Sequence, residues 1–240
     1  MRTPSRASAV LTAIVFAAVP ALAASPASAS TATYSVQYLT LGNGQQVVAR
    51  WNPCRTHTYK VNLASVPTAT RTTVLAETQA AVRVLATKTG ISFTYQGATA
   101  EVPRLGSYAT QSADIIIAFT TPLKSNYLYG TADARGGNAA SMSATSNGTT
   151  VTYTAAIIKG FVVVDTAKLL RTYKAGFGTG VRRGNLIMHE LGHVVGLNHV
   201  SNVRLLMNPQ LSTYTPNGYA VVDAAGLSVV GSRAGCISGM

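Results

Sequence analysis

The stretch His189-Glu190-Leu191-Gly192-His193-Val194-Val195-Gly196-Leu197-Asn198-His199 decides how the rest of this 240-residue chain is read. It has the form H-E-x-x-H-x-x-G-x-x-H: three imidazoles and a carboxylate at spacings that suit one zinc ion. Three of the chain's four histidines fall inside it. Each residue of an α-helix advances about 100°, so His189 and His193 project from one face, a turn apart. Glu190 lies about 100° around from His189, where it reaches a water beside the metal without being a ligand. His199 is too far along to continue that face. Gly196 solves the problem, because glycine adopts the left-handed conformation that ends many helices and lets the chain swing His199 back. Three nitrogen ligands leave the fourth zinc position open, as a catalytic rather than a structural site requires.

A bare H-E-x-x-H arises by chance on ordinary amphipathic helices. Adding the glycine and the third histidine at fixed offsets makes coincidence roughly a thousandfold rarer. The surroundings agree: Leu186, Ile187, Leu191, Val194, Val195 and Leu197 supply the apolar surface of a helix expected from about Val181 to Leu197. Arg182-Arg183 is expected on its exposed first turn.

The motif, followed by Met207 in Leu205-Leu206-Met207-Asn208-Pro209, resembles that of the metzincin clan of zinc endopeptidases. The Met-x-Pro sequence and the short C-terminal remainder look most like the matrixin-type members. The resemblance implies that Glu190 is the general base and that Met207 sits in a tight turn, flooring the zinc site without ligating the metal. Alone, Met207 would read as an ordinary core methionine; its place eight residues after the third histidine is what favours the other role. There are departures. Pro209 stands where some metzincins carry a tyrosine that approaches the metal. Tyr214, farther on, could line a substrate pocket. The cysteine of the matrixin latency motif is not present in that setting, and Cys54 in Trp51-Asn52-Pro53-Cys54-Arg55 echoes it only loosely.

Residues 1–29 read as a secretory signal peptide: Arg2 and Arg6, an apolar run from Val10 to Val19, then Ala-x-Ala sites ending at Ala29 or, alternatively, Ala23. That run is too short for a membrane span, and no later segment qualifies. Residues 30–240 are then one catalytic domain, secreted and monomeric. In an exported protein two cysteines suggest one disulfide, Cys54 with Cys236. The sharper alternative makes Cys54 a thiolate that blocks the zinc until a prosegment is removed. The formal net charge of +12 falls to +10 without the signal arginines, 17 basic against 7 acidic residues. The cations are scattered and no nucleic-acid motif accompanies them, so the charge reads as solubility or surface adhesion and no nucleic acid is expected. The seven acidic residues form no recognisable calcium loop, so a calcium ion would have to be held partly by backbone carbonyls. His57 reads as a loop or strand-edge residue.

Along the chain, Tyr34 to Trp51 alternates around Gly42-Asn43-Gly44, as a β-hairpin or a short prosegment of similar shape. Strands are expected at Thr58–Leu63, Ile91–Tyr95, Asp114–Phe119 (covered on both faces), Val151–Ala156 and Phe161–Asp165. A long helix is expected over Thr70–Lys88, capped by Thr68 or Thr70 and ended by Gly90. Leu123 to Thr150 reads as loop with short strands, and Val222–Val230 as a last helix. This order predicts an α/β (α+β) zincin fold of the metzincin type. It has a mixed twisted sheet, a long helix, a zinc-binding helix and a short C-terminal subdomain after the Met-turn. Residues 208–219 are expected to wall the specificity pocket. Glu190 would take a proton from water as it attacks the scissile carbonyl of a protein or peptide substrate. The rival readings are an exported zinc-containing binding domain without turnover, and a zinc hydrolase of a non-peptide amide.

Overall fold

The computed structural model describes residues 33–238. The expected signal peptide and its cleavage sites lie outside them. The alternating segment near the start is a hairpin of β1 (Tyr38–Thr40) and β2 (Gln46–Arg50), turning at Gly42-Asn43-Gly44. It is built into the main sheet, since β2 runs parallel to β7 (Val151–Asp165), and Val36, Ala49 and Trp51 are core residues. The prosegment alternative therefore does not fit this hairpin.

Next come β3 (His57–Asn62), helix α1 (Thr68–Thr89), β4 (Phe93–Ala98) and β5 (Ile115–Thr120). The buried residues of α1 include Val74, Thr78, Ala81, Val82 and Leu85, one stripe at helical spacing. Gly90 ends it with φ of 69° and donates its N–H to the Ala86 carbonyl at 2.8 Å. No side chain caps its start, where Pro67 precedes the first turn, so the cap expected of Thr68 or Thr70 is not made. The β4 strand begins later than Ile91, which turns into the core instead. All six residues of β5 are buried, as its unbroken apolar sequence requires.

The largest departure lies between Leu123 and Asp165. Here β6 (Ala134–Ser146) is a 13-residue strand, and the two short strands expected at 151–156 and 161–165 are one 15-residue strand, β7. The two pair antiparallel from Ala134↔Val164 to Ser146↔Val151, with one register shift at Ala139/Ala140. The β6 sequence is poor in β-branched residues, so its strand form comes from pairing with β7 rather than from propensity.

The sheet has seven strands in the order β1-β2-β7-β5-β3-β4, with β6 on β7. Residues 160–164 of β7 pair with β5 and β6 at once, so β6 lies along the opposite side of β7. Among the described residues it pairs with no other strand and forms an antiparallel edge to an otherwise mostly parallel sheet. Helices α1, α3 (Arg183–Val194) and α4 (Val221–Val230) share the main core with one face. Short α2 (Thr166–Thr172) follows β7, its start capped by the Asp165 carboxylate. A smaller cluster of Ala118, Leu128, Phe161 and Val163 forms a second apolar core. The mixed α/β architecture matches the expected fold class. A disulfide joins Cys54 to Cys236 with Cα atoms 5.4 Å apart, tying the start of the domain to its end. This excludes the free-thiolate alternative for Cys54.

Two expectations about charged groups fail. Arg183 is buried rather than exposed, and its guanidinium meets Glu77 of α1 at 3.0 Å. Glu77 Oε1 also accepts the Gly176 N–H at 2.6 Å, so this pair fastens α1 to the glycine-rich loop before α3. Breaking such a buried pair leaves an uncompensated charge, which is costly. His57 is fully buried at the start of β3, not at an edge in solvent. Its Nε2 lies 2.9 Å from the Asn52 carbonyl and its ring 4.5 Å from that of Trp51. Burial lowers its pKa, outweighing Asp114 at 3.8 Å, so the ring is neutral and makes no true ion pair.

Candidate metal centre

Helix α3 starts two residues later and ends three earlier than the apolar pattern suggested, because Val195 and Gly196 leave the helix. Gly196 has φ of +98°, and a β-carbon there would sit 2.9 Å from the Ala49 carbonyl oxygen. Both facts demand glycine. The turn is held from outside as well: the Gln37 N–H donates to the Gly196 carbonyl at 2.7 Å, and Asn198 donates to Ser35 at 2.9 Å. The Trp51 indole N–H reaches the Val194 carbonyl at 2.9 Å, satisfying a helix-end acceptor.

This turn brings the three histidines together. The Nε2 atoms of His189, His193 and His199 lie 3.3, 3.1 and 3.0 Å apart. Three ligands on a tetrahedral zinc at about 2.0–2.1 Å would be about 3.3–3.4 Å apart, so the triangle fits that ion. The protonation pattern supplies an independent test. His189 Nδ1 is 2.7 Å from the Leu206 carbonyl and His193 Nδ1 is 2.7 Å from the Leu197 carbonyl. A carbonyl only accepts, so both Nδ1 atoms carry the proton and both Nε2 atoms carry bare lone pairs. Two lone pairs 3.3 Å apart repel unless a cation sits between them. Burial first, and mutual repulsion, push His189 down to about 3; burial likewise brings His193 to about 4. The rings are therefore neutral, as metal ligation needs.

Glu190 is buried on α3 beside this triangle. Burial raises its pKa to about 8, opposed by a hydrogen bond from the Gly136 backbone and by the charge of Arg135. Gly136 belongs to β6, and a β-carbon there would collide with the backbone of Glu190. Strand and helix thus approach as closely as glycine permits.

Met207 is buried beneath the helix, and a β-carbon on Gly192 would lie 2.5 Å from its sulfur. It is thus packed against the segment between His189 and His193. Two residues that the sequence reading did not single out hold this arrangement. Asp223, near the start of α4, accepts the N–H groups of Leu206 (3.0 Å), Met207 (3.4 Å) and Ala220 (3.0 Å). Tyr219 donates its hydroxyl to the Met188 carbonyl at 2.6 Å. The only signal for Asp223 was a scarce acid in the first turn of a helix.

A cleft of about 840 Å³ opens onto the triangle. One wall is the edge strand and its approach, residues 131–138; the other is α3, with Leu186, His189, Glu190 and His193, joined by Pro209, Gln210 and Leu211. The second wall uses only part of the expected 208–219 segment. Tyr214 is not in the lining: it is exposed, with the Arg204 guanidinium 5.3 Å from its ring centre.

Two histidines on a helix and a third swung back from beyond its end, faced by an antiparallel edge strand across a cleft, define a metallopeptidase type of architecture. The family model for matrixin peptidases matches residues 50–228, and the chain belongs to that family. It is thereby a metallopeptidase, and the family implies zinc. Among curated proteins, none matches the chain closely enough to count as a relative.

Proposed function

We propose that the protein is an exported zinc endopeptidase that hydrolyses peptide bonds with Glu190 as general base. The observation that carries the reading is the convergence of three imidazole Nε2 atoms within 3.3 Å, those of His189 and His193 with bare lone pairs, beside a buried carboxylate on the helix that carries these two. His189, His193 and His199 would hold the zinc, which when bound supplies Lewis acidity and a nucleophilic water near neutral pH. Glu190 takes a proton from the attacking water and returns it to the leaving amine. Its burial on the same helix as His189 and His193, one position from a ligand, supports that role. The Gly136 N–H fixes its position.

The substrate would enter as an extended strand against β6. Among the described residues that strand leaves one side of its backbone without a strand partner, and its residues 134–138 line the cleft. Met207, locked by Asp223, keeps the floor under the histidines apolar. Export is supported by the disulfide and by the N-terminal pattern of residues 1–29.

The reading is tested with casein or a quenched peptide library, with chelator and after return of zinc. Hydrolysis that stops with chelator and returns with zinc supports it. A protein that binds zinc but cleaves no peptide contradicts it and leaves the binding-domain reading.

A further inference from the structure

The acids of this chain are few, and every one is occupied. Glu77, Glu101, Asp114, Asp133, Asp165 and Asp223 each accept hydrogen bonds from named partners within the domain. Glu190, the seventh, is buried in the cleft. Of the seventeen basic residues in the described part, only Arg55, Lys168 and Arg183 form ion pairs with acidic side chains there. The outside of the domain is therefore a positive surface with almost no anion of its own to satisfy it.

One cation stands in the cleft itself. Arg135 lies on β6, lines the cleft and is exposed. Among the described residues its guanidinium has no hydrogen-bonded or ion-paired partner. It is near enough to bear electrostatically on Glu190, His193 and His199 at once. The neighbouring acid, Asp133, is unavailable to it: it meets Lys168 at 3.2 Å and the Tyr173 hydroxyl at 2.8 Å. A guanidinium carries a planar fork of donors matched to a carboxylate. Here the fork is set on the strand that an extended peptide would run beside.

We infer that the cleft is built for acidic peptide segments, with Arg135 taking an Asp or Glu side chain within a few residues of the scissile bond. The inference rests on the peptidase reading above. The wider positive surface would draw such segments in, and Arg135 would fix where along them the cut falls. Arg135 is a specificity residue in this account, not a catalytic one.

The test uses quenched peptides that differ only by Asp or Glu against Asn or Gln, at each of three positions on either side of the bond. Wild-type protein should favour an acidic residue at one or two of these positions by about tenfold in kcat/KM. In Arg135→Gln the acidic-to-neutral ratio should fall to about one, and in Arg135→Glu it should fall below one. Two variants with native circular dichroism guard against misfolding as the cause. A wild-type ratio of one overturns the inference. So does a ratio that survives in both variants but vanishes in about 0.5 M salt, which would assign the preference to the whole surface instead. If no peptide of the set is cleaved by wild type, the peptidase reading itself fails and takes this inference with it.

Discussion

The two walls of the cleft are built on opposite principles. The α3 wall is made of side chains: its histidines and Glu190 stand at fixed helical offsets, and Leu206 and Leu197 carbonyls orient two of the rings. The β6 wall is made of backbone: Gly136 can lie against Glu190 because it has no side chain, and the strand exists because β7 pairs with it residue by residue. Chemistry that depends on which atoms are present is written in residue identity. Shape that depends on how closely two elements approach is written in pairing and in what is missing.

That contrast can be broken from the helix side first. Replacing His193 with Ala should remove zinc binding and lower hydrolysis by at least about a thousandfold, read by metal content and peptide turnover together. Retained zinc with full activity would show that another group completes the site. On the strand side, Gly136→Ala should leave zinc bound yet lower kcat/KM by about ten- to a hundredfold, because the added methyl displaces the helix backbone at Glu190. Wild-type kcat/KM in that variant would show that the close approach does not position the base.

The same contrast explains what the sequence made legible. Two histidines one turn apart, a glycine and a third histidine state their own geometry, so the triangle was readable before any fold was known. The α1 stripe, the continuous apolar run of β5 and the Cys54–Cys236 pair were readable for similar local reasons. The edge strand was not. Ala134 to Ser146 is small and polar, with glycines adjacent, and its strand character is borrowed from a partner. Arg183 looked like a surface cation because its partner, Glu77, lies 106 residues away in sequence. His57 looked peripheral because nothing local announces that Trp51 and Phe93 close over it.

Smaller effects sharpen the comparison below the helix. Asp223→Ala strips three backbone N–H groups of their shared acceptor and should cost about 1–3 kcal/mol, read as a lower urea midpoint. An unchanged midpoint would mean that Met207 is held by packing alone. The smallest effect on turnover should come from reducing Cys54–Cys236, which lies away from both walls. Stability should fall by about 2–5 kcal/mol while kcat stays near the native value below the melting temperature. A collapse of kcat in folded, reduced protein would show that the closure of the termini reaches the cleft.

The central claim is that Glu190 acts on the reacting water while the three histidines alone hold the metal. Zinc stoichiometry and peptide turnover, measured together on Glu190→Gln, test it most directly. The account predicts one zinc per chain in both wild type and variant, with turnover in the variant reduced by about a thousandfold or more. Wild-type turnover in the zinc-loaded variant, or loss of zinc from it, would contradict the account.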